Sequence, residues 1–200
     1  MFLLSGSPSS RGAKRQGFTL IELLIVIAII LILIAIALPN FLEAQLRARV
    51  TRVQGDFRSL ATAIESYKSE YGKYPPASNP ADPNGRERIQ VVKRFAILTT
   101  PIAFMTSIPT DPFFDQDLPL SIVSDLWGAK VYNYFERETS KLSTPPWGPE
   151  PQVQHSWWFI HSLGPDLDYD ALTVGAFYSI IPYAATNGTR SSGDIIRYGP

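Results

Sequence analysis

Sixteen consecutive apolar residues run from Leu23 to Leu38, and counting back to Phe18 extends the stretch to twenty-one residues in which only Thr19 and Glu22 are polar. At a rise of 1.5 Å per residue such a helix reaches about 31 Å, against roughly 30 Å for a bilayer's hydrocarbon core. Downstream the pattern changes. Leu46, Val50, Val53, Phe57, Leu60, Ile64, Tyr67 and Tyr71 recur at alternating steps of four and three, which draws one apolar stripe along a helix. Arg47, Arg49, Arg52, Asp56, Arg58, Glu65, Lys68 and Glu70 fall mostly off that stripe and make the other face wet. Gly72 ends the pattern, and Tyr74-Pro75-Pro76 prevents its continuation because proline lacks the N–H and restricts the residue before it. Together the two segments predict a helix of about fifty residues, roughly 80 Å long. Its C-terminal half is expected to pack on its own domain, and its first half to protrude and pack against copies of itself.

Beyond Tyr74 prolines become frequent, aromatics cluster and short β-type runs alternate with turn signals, which predicts an α+β head. Pro75 to Arg88 is too rich in Pro, Asn, Asp and Gly to form a regular element. Ile89 to Ile102 suits a short helix, while Asp111-Pro112 and Asp117-Leu118-Pro119 mark turns. Strands are expected at Lys130–Arg137, Ser156–Ser162, Gly175–Ile181 and Ile195–Tyr198, each rich in aromatic and β-branched residues. The fold class is therefore a long N-terminal helix packed on a small antiparallel sheet.

Glu22 is the anomaly of the apolar run. A carboxylate at the centre of a bilayer helix costs on the order of 2.5–3.5 kcal/mol, less near the interface, and is usually retained because it pairs with something. No Lys, Arg or His lies between Phe18 and Arg47, so a cationic partner has to come from elsewhere. Were the chain cut after Gly17, the new α-amino group on Phe18 of a neighbouring copy would supply that cation. Arg11, Lys14 and Arg15 precede the span with no acidic residue, which keeps the N-terminus cytoplasmic and exports everything after Pro39. The plainer alternatives are a secretory signal peptide cut near Ala35-Ile36-Ala37 and an uncleaved signal anchor. Neither gives Glu22 a role.

Gly17, Phe18-Thr19-Leu20-Ile21-Glu22, the Ile/Leu/Val/Ala-rich run and Leu38-Pro39 resemble the N-terminus of type IV prepilins and type II secretion pseudopilins. That resemblance implies cleavage after Gly17 by a membrane prepilin peptidase, N-methylation of Phe18, positioning of each subunit in a filament by Glu22, and a helix-kinking role for Pro39. It divides the chain into a leader peptide (1–17), a transmembrane and assembly helix (18–38), an amphipathic continuation (39–72) and an exported globular head (73–200). The head resembles the G-type major pseudopilin. Tyr67 to Pro75 is similar to that family's helix end, Asp125 to Tyr134 to its DPWG turn and strand with Leu126 in place of proline, and Ser162-Leu163-Gly164-Pro165-Asp166 to its calcium-binding SxGPDG loop. The segment from Leu172 to Ser192 is longer than the family's at that point.

Asp166, Asp168 and Asp170 alternate along a turn-rich segment, and Asp194 is placed to complete a set of oxygen ligands for a structural calcium ion. A solvated acidic loop is the alternative, since alternating Asp is common in turns. His155 and His161 flank Trp157-Trp158-Phe159 on one side of a strand, where packing is the default over a zinc pair. Trp157 and Trp158 are expected in the core or at a subunit contact.

The chain carries 18 basic and 18 acidic residues; without Arg11, Lys14 and Arg15 the balance is 15 against 18, a net charge of −3. A mildly acidic exported part argues against binding to phosphate backbones, so no nucleic acid is expected as a partner. With no cysteine, neither a lipoprotein nor a disulfide framework applies. No nucleophile elbow, P-loop, H-E-x-x-H or C-x-x-C is present. The expectation is a non-enzymatic, single-pass inner-membrane precursor with a periplasmic or extracellular head. Its partners are copies of itself, the prepilin peptidase, minor pseudopilins, and an assembly platform with its ATPase. The alternatives are a type IV pilin serving adhesion, motility or DNA uptake, and, from another class, a membrane-anchored exported enzyme or binding module.

Overall fold

The computed structural model describes residues 17–78, 80–81, 91–114, 131–140, 155–167, 182–184 and 193–200. Helix α1 (Leu20–Tyr71) is followed by α2 (Val91–Ala96), β1 (Asn133–Glu136), α3 (Arg137–Ser140), β2 (Trp158–Ser162) and β3 (Ile195–Tyr198). The chain divides into two compact units, Met1–Phe41 and Leu42–Pro200.

In the first unit the apolar residues of α1 are exposed all round, and the helix is long and apolar enough, by length and composition, to cross a membrane. Pro39 lies inside the helix. Its missing N–H leaves the Ala35 carbonyl without its usual helical donor, and one residue on the Asn40 side-chain amide donates to the Ile36 carbonyl at 3.3 Å.

In the second unit the four-and-three stripe faces the core as the sequence predicts: Val50, Val53, Phe57, Leu60, Ile64 and Tyr67 are buried. Tyr71, the last position of the stripe, is 41% exposed, its ring 4.5 Å from that of Tyr67. The helix stops where glycine permits a left-handed turn. Gly72 has φ 73° and its N–H donates to the Lys68 carbonyl at 2.8 Å, an αL C-cap.

The strands form one antiparallel sheet in the order β1-β2-β3, with Tyr134 opposite Ile160, Phe135 opposite Phe159, and Ile160 opposite Arg197. Alternation along a strand sends Tyr134, Trp158, Ile160 and Ile195 into one cluster with the stripe of α1, together with Tyr132, Phe95 and Leu98. The opposite face is buried as well: Phe135 and Phe159 stack at 4.9 Å, and Asn133 and His161 lie on the same side, each 1% exposed. Strands β1 and β2, covered on both faces, cannot show the polar-out alternation of a half-buried strand, so their outer-face residues read as strand without revealing their burial, while β3 is partly exposed.

Polar tips fasten this core. Trp158 Nε1 donates to Glu65 Oε1 at 2.8 Å, Tyr132 Oη to Asp56 Oδ2 at 2.7 Å, and Tyr134 Oη to the Pro75 carbonyl at 3.0 Å. Each satisfies a group whose burial would otherwise be costly. Buried Arg94 donates to Asn133 Oδ1 at 3.1 Å and to the Tyr134 carbonyl at 2.5 Å. Glu136 caps α3, accepting from the Thr139 N–H at 2.9 Å and the Thr139 hydroxyl at 2.6 Å.

Strand β3 and the single strands within Lys130–Arg137 and Ser156–Ser162 match the sequence reading, and α2 falls inside Ile89–Ile102. The expected strand at Gly175–Ile181 and most of the Pro75–Arg88 loop lie outside the described residues. The histidine pair is corrected: β2 begins at Trp158, so His155 stands exposed before the strand while His161 is buried within it. Trp158 joins the core and Trp157 stays 40% exposed.

Candidate functional site

Thr19 and Glu22 form a closed reciprocal pair at the start of α1. The Thr19 N–H donates to Glu22 Oε2 at 2.9 Å, the Thr19 hydroxyl to the same oxygen at 2.7 Å, and the Glu22 N–H to Thr19 Oγ1 at 3.3 Å. The Leu23 N–H reaches the Thr19 carbonyl at 3.3 Å as the helix opens. This is a capping box, in which an N-cap threonine and a glutamate three residues on satisfy amides that no helical carbonyl can reach. Only Oε2 is engaged; Oε1 accepts no hydrogen bond among the described residues. The sequence reading sought a cation for Glu22 and missed Thr19. The signal was there, in the Thr-x-x-Glu spacing directly before an apolar run.

Among the described residues, those around this box are exposed. Phe18 is 72% exposed, and a side chain added at Gly17 would meet no atom within 4 Å. The Gly17–Phe18 bond thus lies just ahead of the helix, exposed among the described residues, with a half-satisfied carboxylate one helical turn beyond it.

In the second unit the acidic candidates are only partly brought together. Gly164 (φ 75°) and Leu167 (φ 62°) turn the chain after β2, and Asp166 Oδ2 accepts from the Gly193 N–H at 3.0 Å. The two segments are in backbone contact: a Cβ at Gly164 would lie 2.7 Å from the Gly193 carbonyl oxygen. Asp194, the next residue, is fully buried and directs Oδ2 to within 3.6 Å of His161 Nδ1. Burial, aided by the Arg94 guanidinium, pushes the His161 imidazole down to about 3, so it faces Asp194 as a neutral ring. Asp168 and Asp170 lie outside the described residues. Among the described residues no group of three or more His, Asp or Glu side chains gathers to hold a metal.

Residues 12–38 match the family model described as the prokaryotic N-terminal methylation motif. The type IV major pilin protein PilA of Myxococcus xanthus is 46% identical over 66 residues, covering 33% of this chain and 30% of that protein. The type II secretion system core protein G of Pectobacterium carotovorum is 28% identical over 159 residues, covering 78% of this chain and 79% of that protein. This chain is similar to type IV pilins and to type II secretion pseudopilins. A second core protein G, from Pseudomonas aeruginosa, is 37% identical over 62 residues and covers 44% of its own length. The alignment thus spans less than half the length of several of the pilin-type relatives it matches. No solved structure matches the chain. The apolar helix and the methylation motif fit a single-pass, membrane-anchored, pilin-like protein, and the long helix with its small antiparallel sheet is a pilin-like α+β fold.

Proposed function

We propose that this protein is the precursor of a non-enzymatic structural subunit of a type II secretion pseudopilus. A prepilin peptidase cleaves after Gly17, Phe18 becomes the methylated terminus, and the mature subunits assemble through residues 18–38 on a membrane platform driven by an ATPase, with minor pseudopilins as further partners. The supporting observation is the relative whose match extends past the shared N-terminal motif: core protein G is aligned over 78% of this chain, head included. Pilin matches such as PilA cover a third of it. The type IV pilus remains the second reading because identity within that third is higher, at 46%.

The capping box gives the assembly step a physical form. In a lone subunit Oε2 of Glu22 is held by Thr19 while Oε1 is open, and the α-amino group freed at Phe18 of an adjacent copy is the complementary cation. Charge-assisted pairing inside an apolar bundle is stronger than in water and penalises any register that leaves the acid alone. In the head, Asp166, Asp168, Asp170 and Asp194 are proposed as ligands of a structural calcium ion. The carboxylate and carbonyl oxygens of this chemistry suit a hard cation, and the joined Gly164 and Gly193 backbones hold two ends of that segment together.

The intact mass and N-terminal residue of the protein recovered from membranes test the processing, for which a methylated Phe18 terminus is expected and a terminus near Leu38 is refuting. Deleting the gene tests the assignment to secretion. Exported proteins should accumulate in the periplasm while surface pili persist; normal secretion with lost pili assigns the chain to the type IV pilus.

A further inference from the structure

Along one face of α1, Gln54, Arg58, Thr62 and Ser66 follow one another at four-residue steps and line two adjoining depressions whose opposite wall is β3 and the residues after it. The lower depression has a volume of about 280 Å³ and the upper about 490 Å³, and Arg197 borders both. From Gln54 to Ser69 the helical wall measures about 22 Å, the length of six or seven residues of extended chain.

The lower end is built for a negative group. Arg58 on the helix and Arg197 on the strand reach it from opposite walls, both exposed, and among the described residues neither guanidinium has an ion-pair or hydrogen-bond partner. Of the other arginines, Arg47 is paired with Glu43, Arg52 with Asp56, and Arg94 is consumed by β1, while Arg49, which lines neither depression, is likewise unpaired among the described residues. Asp194 also borders the cleft, yet its side chain has no exposure and is directed at His161. Phe57, Tyr183 and Ile195 give apolar walls between the two cations. At the upper end Thr62 and Ser66 donate their hydroxyls to helix carbonyls at 2.9 and 2.8 Å, leaving oxygen lone pairs to accept from a passing amide. Glu65, the acid of that end, is occupied by Trp158 Nε1.

We infer that the furrow between α1 and β3 binds an extended acidic peptide segment of a partner protein, one carboxylate being clamped between Arg58 and Arg197. A bare inorganic anion would use the two guanidiniums and leave the apolar walls and the remaining length of the furrow unfilled. Arginine forks match carboxylate geometry; at the lower end of β3 the Asp194 carbonyl already accepts from the Tyr183 N–H at 2.9 Å, so the peptide is held there through its side chains rather than by adding a strand. The inference is independent of filament formation.

The test uses the full chain in detergent micelles and a fluorescein-labelled octapeptide alternating glutamate and alanine, read by anisotropy. Saturable binding is expected, weakened about two- to fivefold by Arg58→Gln or Arg197→Gln and about tenfold by both, with a further loss in high salt. Equal binding of the peptide with glutamine in place of glutamate overturns the inference. So does unchanged binding by the double variant at an unchanged melting temperature. If the double variant melts early, the parent chain decides with a lysine-for-glutamate peptide, which must fail to bind. Displacement of the peptide by an equal concentration of sulfate assigns a free-anion site and overturns the peptide reading. Self-association of the parent chain that both substitutions abolish, without peptide binding, assigns the acid to a second copy and overturns it too.

Discussion

Gly199→Ala and Gly55→Ala should move stability in opposite directions although the chemical change is identical. At Gly199 the new Cβ would lie 2.1 Å from Trp158 Cε2, 2.3 Å from Nε1 and 2.5 Å from Cδ2. That is roughly 1.4 Å inside ordinary carbon–carbon contact. Trp158 is 1% exposed and held by Glu65, so the indole cannot swing away freely. Shifting it sacrifices a hydrogen bond to a carboxylate, about 1.5–3 kcal/mol. Lifting the Gly199–Pro200 segment instead loses the bonds from the Gly199 N–H to the Trp158 carbonyl (2.8 Å) and from the Trp157 N–H to the Pro200 carbonyl (3.1 Å). At about 1 kcal/mol each, that route costs about 2 kcal/mol. Both routes agree with the 1–3 kcal/mol typical of overpacking, and for a chain of this length about 2 kcal/mol lowers the melting temperature by about 4–8 °C. At Gly55 an added Cβ meets nothing within 4 Å and sits mid-helix, where alanine is preferred over glycine by about 0.5–1 kcal/mol. Thermal unfolding of the full chain in micelles, followed by tryptophan fluorescence and near-UV circular dichroism, reads both. A Gly199→Ala protein melting with the parent refutes the packing of the Gly199 backbone against the indole.

Glu22→Ala should leave cleavage and methylation intact while filament yield falls to background, because the helix still inserts but its pairing charge is gone; normal filaments by electron microscopy sink that role for the acid. EGTA should lower the melting temperature by about 5–10 °C if calcium is bound at some hundredfold over its Kd, with calcium restoring it and magnesium failing to; an unchanged melt reduces Asp166, Asp168, Asp170 and Asp194 to a solvated loop. Asp111 offers a pH readout: burial pushes its carboxyl from the ordinary 3.8 up to about 6, while hydrogen bonds from Ser162 and the Phe113 N–H pull the other way. A folded value above the unfolded one contributes stability that is complete below about pH 4 and lost as pH rises through about 6. Asp111→Asn should therefore match the parent at pH 3.5 and exceed it at pH 7 by at most on the order of 3 kcal/mol, and a pH-independent difference in denaturant midpoints overturns the assignment.

Local patterning determined the helix and its ends. The apolar run, the four-and-three stripe through Tyr67 and the Gly72 stop are one-dimensional signals, because a helix places residues three and four apart on one face whatever surrounds it. Three strands were legible for a related reason: runs such as Trp158–Ser162 and Ile195–Tyr198 are dense in aromatic and β-branched side chains that suit a pleated surface. The capping box was equally local, written in Thr19 and Glu22, and reading Glu22 for its charge alone obscured it.

What the tertiary structure decided depends on which distant residues share a volume. Arg94 looks like a solvated cation in a short helix, yet it is buried because β1 presents Asn133 Oδ1 and the Tyr134 carbonyl to it. His155 and His161 are alike in sequence terms, and strand boundaries with sheet pairing expose one and bury the other beside Asp194. Arg58 and Arg197 each read as an ordinary surface charge. Only the packing of α1 on the sheet sets them across one furrow, since the register of β3 against β2 places Arg197 on the same side as Ile160 and Tyr134. Periodicity reports the direction of a side chain relative to its own element; what waits on the far side is settled by the assembly of all elements at once, and that holds the binding chemistry of the head.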